Sequence, residues 1–221
     1  MSDDLWQPLA LSLRVAACAT LLTVLLGTPL AYGMARRSFP GRSLVEGFIL
    51  LPLVLPPTVV GYLLLMSLGS RGWLLKWLPE SFDYSIAFRF EGAVLAALIV
   101  ALPMLYIPAK AAFASVDRDF VDAAKIAGAT RLQVFWHVSI PLARRGLVSG
   151  LLLAFARALG EFGATMMVFG WQPRRITLPI SIYADYEQGD LTHATAAVIA
   201  LSLISLGLVL AYNLTLAGKR D

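Results

Sequence analysis

Charge is scarce in this sequence: 14% of its 221 residues are Asp, Glu, Lys or Arg, where a soluble domain carries about 25%. The shortfall is concentrated. Val15–Ala35, Gly47–Ser70, Gly92–Ala109 and Ala194–Gly218 contain no charged residue, and Gly146–Pro173 contains only Arg157 and Glu161. Each run approaches or exceeds the roughly 20 apolar residues that a membrane-spanning helix needs, which excludes a water-soluble domain. Cysteine is nearly absent: Cys18 stands alone, so no internal disulfide can form. His137 and His193 are isolated, and no His, Cys or carboxylate cluster has metal-ligand spacing. The phosphate cradle G-x-x-x-x-G-K-[ST] is missing. The chain is therefore read as no enzyme by itself, with no cofactor and no metal. The N-terminus, MSDDLWQP, is acidic where a secretory signal is basic, and the first apolar run is too long for a signal core. The first helix is expected to remain in the protein.

What is present is an all-α integral membrane protein of five transmembrane helices, forming one domain over residues 9–213 with short termini at 1–8 and 214–221. Lys and Arg set its orientation, because cytoplasmic loops carry the excess. One side holds Arg36, Arg37 and Arg42, then Lys110, Arg118, Lys125, Arg131, Arg144 and Arg145, then Lys219 and Arg220; the other holds Arg71, Lys76, Arg89, Arg174 and Arg175. The richer side is cytoplasmic, which puts the N-terminus outside and the C-terminus inside. The net charge of +4 follows from this topology and requires no nucleic acid. Arg14, near the outer end of the first helix, can snorkel to the headgroups. The outer loop Arg71–Glu91, with Trp73, Trp77, Phe82, Tyr84, Phe88 and Phe90, suits an interfacial belt or a docking surface.

Ser115–Leu142 is the one long charged connection. Asp117 or Asp119 can cap a short helix with apolar Phe120, Ala123, Ala124 and Ala127 on one face. Gly128 ends it in the left-handed conformation. Thr130 and Gln133 form a T-x-x-Q capping box that opens a second helix through Val138, with Pro141 as its stop. The outcome is a helix–Gly–helix elbow between spans.

Two spans carry further signals. In the second, Pro52, Pro56 and Pro57 fall within six residues, and each removes a backbone donor and crowds the preceding turn. Such a break survives in hydrocarbon only beside other protein or a wet cavity, and Pro57 can open a new half-helix. In the fourth, Arg157 and Glu161 are four apart and can pair. Ala156, Gly160 and Ala164 form a small-xxx-small ridge for close helix approach. Pro56, Pro57, Thr58, Arg157, Glu161 and Thr165 are the gate or pore candidates; an internal structural salt bridge is the simpler reading of the charged pair. The first span is expected to kink at Gly27–Pro29 and the third at Pro103 and Pro108. The stretch Gly170–Thr192 reads as an outer loop before a featureless fifth helix.

Asp122-Ala123-Ala124, Gly128 and Val138-x-Ile140-Pro141 resemble the EAA loop of binding-protein-dependent ABC importer permeases, E-A-A-x3-G-x9-I-x-L-P. The spacing is kept; Asp122, Val138 and Ile140 replace the family's Glu, Ile and Leu. The resemblance implies a cytoplasmic coupling helix, with Asp122, Ala123, Ala124, Gly128, Ala129 and Thr130 docking in a cleft of a separate ATPase. LPLVLPPTVVGYLLL (Leu51–Leu65) and FARALGEFGAT (Phe155–Thr165) resemble the oxyanion branch of that family, and within it the molybdate permeases. This implies a type I importer in a bacterial inner membrane: a homodimer of the permease, two ATPase copies, and a periplasmic or extracellular molybdate-binding protein. Tungstate, sulfate and thiosulfate are the alternative cargoes. An ion-coupled secondary transporter, or a membrane scaffold that recruits a soluble protein, are the rival classes.

Overall fold

The computed structural model describes residues 5–69, 72–74, 85–172 and 175–217, all helix, turn or irregular chain with no strand among them. Trp77, Phe82 and Tyr84, with the basic residues Arg71, Lys76, Arg174, Lys219 and Arg220, lie outside the described residues. The chain runs α1 (Trp6–Arg36), α2 (Arg42–Val54), α3 (Pro57–Leu68), α4 (Phe90–Ala114), α5 (Arg118–Ile126) and α6 (Arg131–Val134). A π-helical turn (Phe135–Ser139) leads into α7 (Ile140–Leu159), followed by α8 (Gly163–Phe169), α9 (Leu178–Glu187) and α10 (Leu191–Ala217). Four helical stretches are long and apolar enough to cross a membrane: Trp6–Arg36, Phe90–Ala114, Arg131–Leu159 and the stretch from Leu191. A fifth crossing exists only if α2 and α3 are taken together as one broken span.

α4 is the axis of the bundle, packed against both α1 and α7, which also touch each other. Its Ala93, Ala96, Ala97, Ala101 and Ala109 are completely buried. Between helices in a membrane, small residues permit the close approach that van der Waals attraction requires. Gly150 of α7 shows how close: a Cβ there would lie 3.0 Å from the Leu105 carbonyl oxygen and 3.1 Å from Pro108 Cγ. At one end of the bundle Tyr32 packs edge-on against Phe113 and Phe135, with ring centres 5.3 and 4.9 Å away. Buried Val116, Val121 and Val134 join this cluster and fasten α5 and α6 to the spans. Pro29, Pro103 and Pro108 all sit inside uninterrupted helices, so none of them ends its span.

The second apolar run is not one helix. α2 stops at Val54, Leu55 and Pro56 are extended (ψ 138° and 135°), and α3 begins with Pro57 in its first turn. The axes bend by 116° across that break. The cause is the pair of adjacent prolines: Pro56 and Pro57 supply no amide, and each pushes the residue before it to extended backbone.

Four expectations are corrected. Pro141 does not stop the second helix of the elbow. The chain widens into the π-turn, Ile140 N–H reaches back to Phe135 O, and the helix resumes through Leu159. An i→i+5 turn carries the ring and the lost donor without ending the rod. The fourth span therefore starts at Arg131 rather than Gly146. It also ends early: the helix stops at Leu159, and Gly160–Phe162 break the chain before α8. Ala156, Gly160 and Ala164 thus do not form a ridge on one helix. Finally, the outer stretch after Gly170 contains α9. The buried Ser12 hydroxyl of α1 accepts a hydrogen bond from the Leu178 amide at 2.7 Å and ties the start of α9 to the bundle.

α3 and α8 meet over their glycines. A Cβ on Gly61 would sit 2.7 Å from both the Ala164 carbonyl oxygen and Met167 Cβ. Gly61→Val should therefore lower the stability of the detergent-solubilised chain by about 1–3 kcal/mol, read as a fall in thermal midpoint. Gly33→Ala, with no atom within 4 Å of the added carbon, should leave it unchanged or raise it; an unaltered midpoint for Gly61→Val would refute the close contact.

Candidate functional site

The elbow is built by two caps and a glycine. Asp117 precedes α5 and its carboxylate accepts the Asp119 amide at 3.1 Å. After α5, Gly128 takes φ +87° and donates to the Lys125 carbonyl at 2.9 Å, while Ala129 N–H reaches Ala124 O at 3.0 Å. A left-handed residue here turns the chain and satisfies carbonyls that the helix end leaves open. Thr130 then caps α6: its Oγ1 accepts the Gln133 amide at 3.3 Å, and Gln133 Oε1 accepts the Thr130 amide at 2.8 Å. Arg36, the last residue of α1, donates from Nη2 to the Val116 carbonyl at 3.0 Å and holds the entrance of the elbow.

The two faces of the elbow differ. Val121 is buried against the bundle, and Ala124 and Ala129 are half-buried beside it. On the other face Ile126 is 89%, Leu132 66% and Phe120 59% exposed, with Asp122, Ala123, Gly128 and Thr130 also exposed. Asp122 bonds Lys125 at 2.8 Å. That contact holds its carboxyl below the usual carboxylate range. The ion pair is thus present at neutral pH and is lost as pH falls through the lowered value. The elbow thus leaves three large apolar side chains uncovered by the rest of the chain.

From Arg131 the helix runs without interruption for 29 residues to Leu159, about 43 Å of rod at 1.5 Å per residue. At its far end stand Arg157 and Glu161. Arg157 Nη1 and Glu161 Oε2 are 2.7 Å apart, and the Glu161 side chain is 1% exposed. Glu161 Oε1 also accepts the Ala164 amide at 2.8 Å. The carboxylate thus bridges the last turn of α7 and the first of α8, where a negative charge meets free amides. Across from it lies the proline break: a Cβ on Gly163 would approach Pro57 Cβ to 3.1 Å and Thr58 Cγ2 to 3.3 Å. The structure therefore brings Pro57 and Thr58 together with the Glu161–Thr165 segment. Pro56 and Thr58 are exposed. Thr165 is fully buried, and its Oγ1 has no hydrogen-bond partner among the described residues.

Sequence reasoning missed a second polar cluster. Glu46 of α2 accepts the Tyr106 hydroxyl of α4 at 2.8 Å, pairs with Lys110 Nζ, and has Arg42 at 3.9 Å. It pins the first half of the broken span to the axis of the bundle. The available signal was the isolated acid at the edge of an apolar run: a carboxylate there needs a cation, and Lys110 stands at the edge of another.

The Arg157–Glu161 geometry sets a measurable asymmetry. Arg157→Gln leaves the buried carboxylate with one amide and should cost about 3 kcal/mol. The double change R157Q/E161Q removes the charge and should cost less than Arg157→Gln alone. Unfolding measured in detergent checks this; a double variant equal to the sum of the singles contradicts a direct pair.

Residues 24–218 match the family described as Binding-protein-dependent transport system inner membrane component. The chain is 38% identical over 213 residues to the Molybdenum transport system permease protein ModB of Escherichia coli (strain K12), covering 95% of this chain and 93% of that one. It is 45% identical over 198 residues to ModB of Mycobacterium tuberculosis (strain ATCC 25618 / H37Rv), covering 89% and 72%. Among solved structures, a bacterial alginate ABC transporter in complex with alginate pentasaccharide-bound periplasmic protein overlays with a TM-score of 0.75 at 20% identity, over 96% of this chain and 78% of that one. The helical architecture and these matches lead to one conclusion: the chain belongs to the binding-protein-dependent transport system inner membrane component family, the membrane permeases of ABC importers.

Proposed function

We propose that this permease conducts molybdate inward across a bacterial inner membrane as a homodimer, served by two copies of an ATPase and by a molybdate-binding protein on the outer side. Residues 9–213 form the single permease domain, with the N-terminus outside and the elbow in the cytoplasm. The relatives named for molybdenum transport support the cargo, and the excess of Lys and Arg on the elbow side supports the orientation. The single observation that carries the mechanism is the continuous helix from Arg131 to Leu159, with an exposed apolar elbow at one end and the Arg157–Glu161 break at the other.

In this reading Asp122, Ala123, Ala124, Gly128, Ala129 and Thr130 shape the part of the elbow that enters a cleft of the ATPase. ATP binding draws the two ATPase copies together, and each elbow moves with its copy. A helix is stiff along its axis, so the displacement reaches Leu159, where α8 and the Pro56–Thr58 break lie against one another. The seam between the two chains opens there. Val59, Tyr62, Leu63 and Met66 of α3 are exposed apolar residues, which supports placing α3 at that seam. Glu161 compensates Arg157, so the passage presents no bare cation to hold a divalent oxyanion. Release is then fast, and selectivity rests with the binding protein.

Proteoliposomes containing the permease, its ATPase and the binding protein should accumulate molybdate only with ATP inside. Uptake that follows a proton or sodium gradient without the ATPase would overturn the reading, and equal uptake of sulfate would widen the cargo. Phe120→Asp with Ile126→Asp should abolish co-purification of the ATPase, a loss of at least about thirtyfold in affinity. The permease itself should melt normally, because neither side chain is buried in it. Undiminished co-purification would count against docking through this face.

A further inference from the structure

Two cavities lie along α1, away from the gate proposed above, and the first shares only Asp122 with the proposed ATPase-docking residues. The first, about 660 Å³, is lined by Tyr32, Arg36, Arg37, Arg118, Lys125 and Arg131, together with Val121, Val134 and Asp122. Asp122 is the only carboxylate among the described lining residues, and it is already bonded to Lys125. Four arginines therefore line a single space. The second cavity, about 310 Å³, is apolar and lined by Val24, Leu25, Pro29, Trp136, Leu147 and Leu151 among others.

Their relative depth follows from α1, which contributes residues 32–37 to the first and 24–29 to the second. Eight residues of helix separate their middles, about 12 Å along the axis. The uncharged run of α1 ends at Ala35, so the basic cavity lies at the membrane surface and the apolar one in hydrocarbon. Tyr32 lines the first cavity and Phe135 the second, and their rings are 4.9 Å apart. Arginines read phosphate through paired N–H donors. A phosphate at headgroup depth with an acyl chain running 12 Å inward matches both spaces together.

We propose that these paired cavities hold one anionic phospholipid of the cytoplasmic leaflet, its headgroup phosphate among Arg36, Arg37, Arg118 and Arg131 and one acyl chain in the apolar groove. Basic pockets between helices on this side of a membrane suit such headgroups. The lipid would contact α1, α5, α6 and the π-turn at once. It would brace the elbow against the bundle at the point where Arg36 already holds Val116 O. This rests on the inward orientation of the elbow, but the test below needs neither ATPase nor cargo, so it can fail while the transport reading stands.

The full chain, purified in detergent, is titrated with phosphatidylglycerol, phosphatidylcholine or inorganic phosphate, and bound species are counted by native mass spectrometry. Phosphatidylglycerol should be retained at least about fivefold more strongly than phosphatidylcholine, and inorganic phosphate should not displace it. R37Q/R131Q should erase the preference between the two lipids. Val148→Trp, which fills the apolar groove from its wall, should weaken both lipids while keeping that preference. Equal retention of the two lipids, an unchanged preference in R37Q/R131Q, or displacement by inorganic phosphate would each overturn the proposal. So would loss of the lipid on adding the ATPase, since the cavity would then belong to the protein partner.

Discussion

The structure depends on one uninterrupted helix, and that helix exists because a π-turn carries Pro141. A proline inside a regular α-helix removes one hydrogen bond and crowds the preceding turn, at roughly 3 kcal/mol or more. Phe135–Ser139 widen to i→i+5 geometry, so the helix opened by the Thr130 capping box passes the proline and continues to Leu159. Without that accommodation the elbow and the fourth span would be separate bodies joined by a hinge. With it, whatever grips the elbow also grips the far end of the span.

The charged pair at that far end gains its significance from the same continuity. Glu161 closes the rod by pairing with Arg157, and it starts the next helix by accepting the Ala164 amide. One buried carboxylate thus links α7, α8 and, through the close approach of Gly163 to Pro57 and Thr58, the broken second span. The broken span is fixed independently at its other half by Glu46 with Tyr106 and Lys110. The segment is pinned at one half and packed on the α7–α8 joint at the other, and the proposed gate lies at that joint.

Much of this was legible in the sequence, and the failures share a cause. Elbow chemistry is local, so Asp117, Gly128 and the Thr130–Gln133 box could be read from residue types a few positions apart. The same holds for the proline break at Pro56–Pro57 and for the four-residue spacing of Arg157 and Glu161. Proline and glycine punctuate a helix only as their surroundings dictate, and residue type alone does not show which case holds. Pro141 does not stop its helix because a π-turn absorbs it; Gly160 does not extend a ridge because the helix ends before it. α9 was hidden because ten residues are too few for a span. The Glu46–Lys110 pair joins positions 64 apart, which no local pattern announces.

The most direct measurement is the length of the rod during turnover. Spin labels at the exposed positions 132 and 151 of one copy, with Cys18 replaced, report the distance along the helix in a complex carrying one doubly labelled chain. A single label at 132 in both copies reports the distance between elbows. On trapping the ATP-bound state, the distance between elbows should shorten while the 132–151 distance stays at about 28 Å, 19 residues at 1.5 Å each. A 132–151 distance that changes or broadens on ATP binding would mean that the π-turn acts as a hinge, and the rod would not carry the stroke.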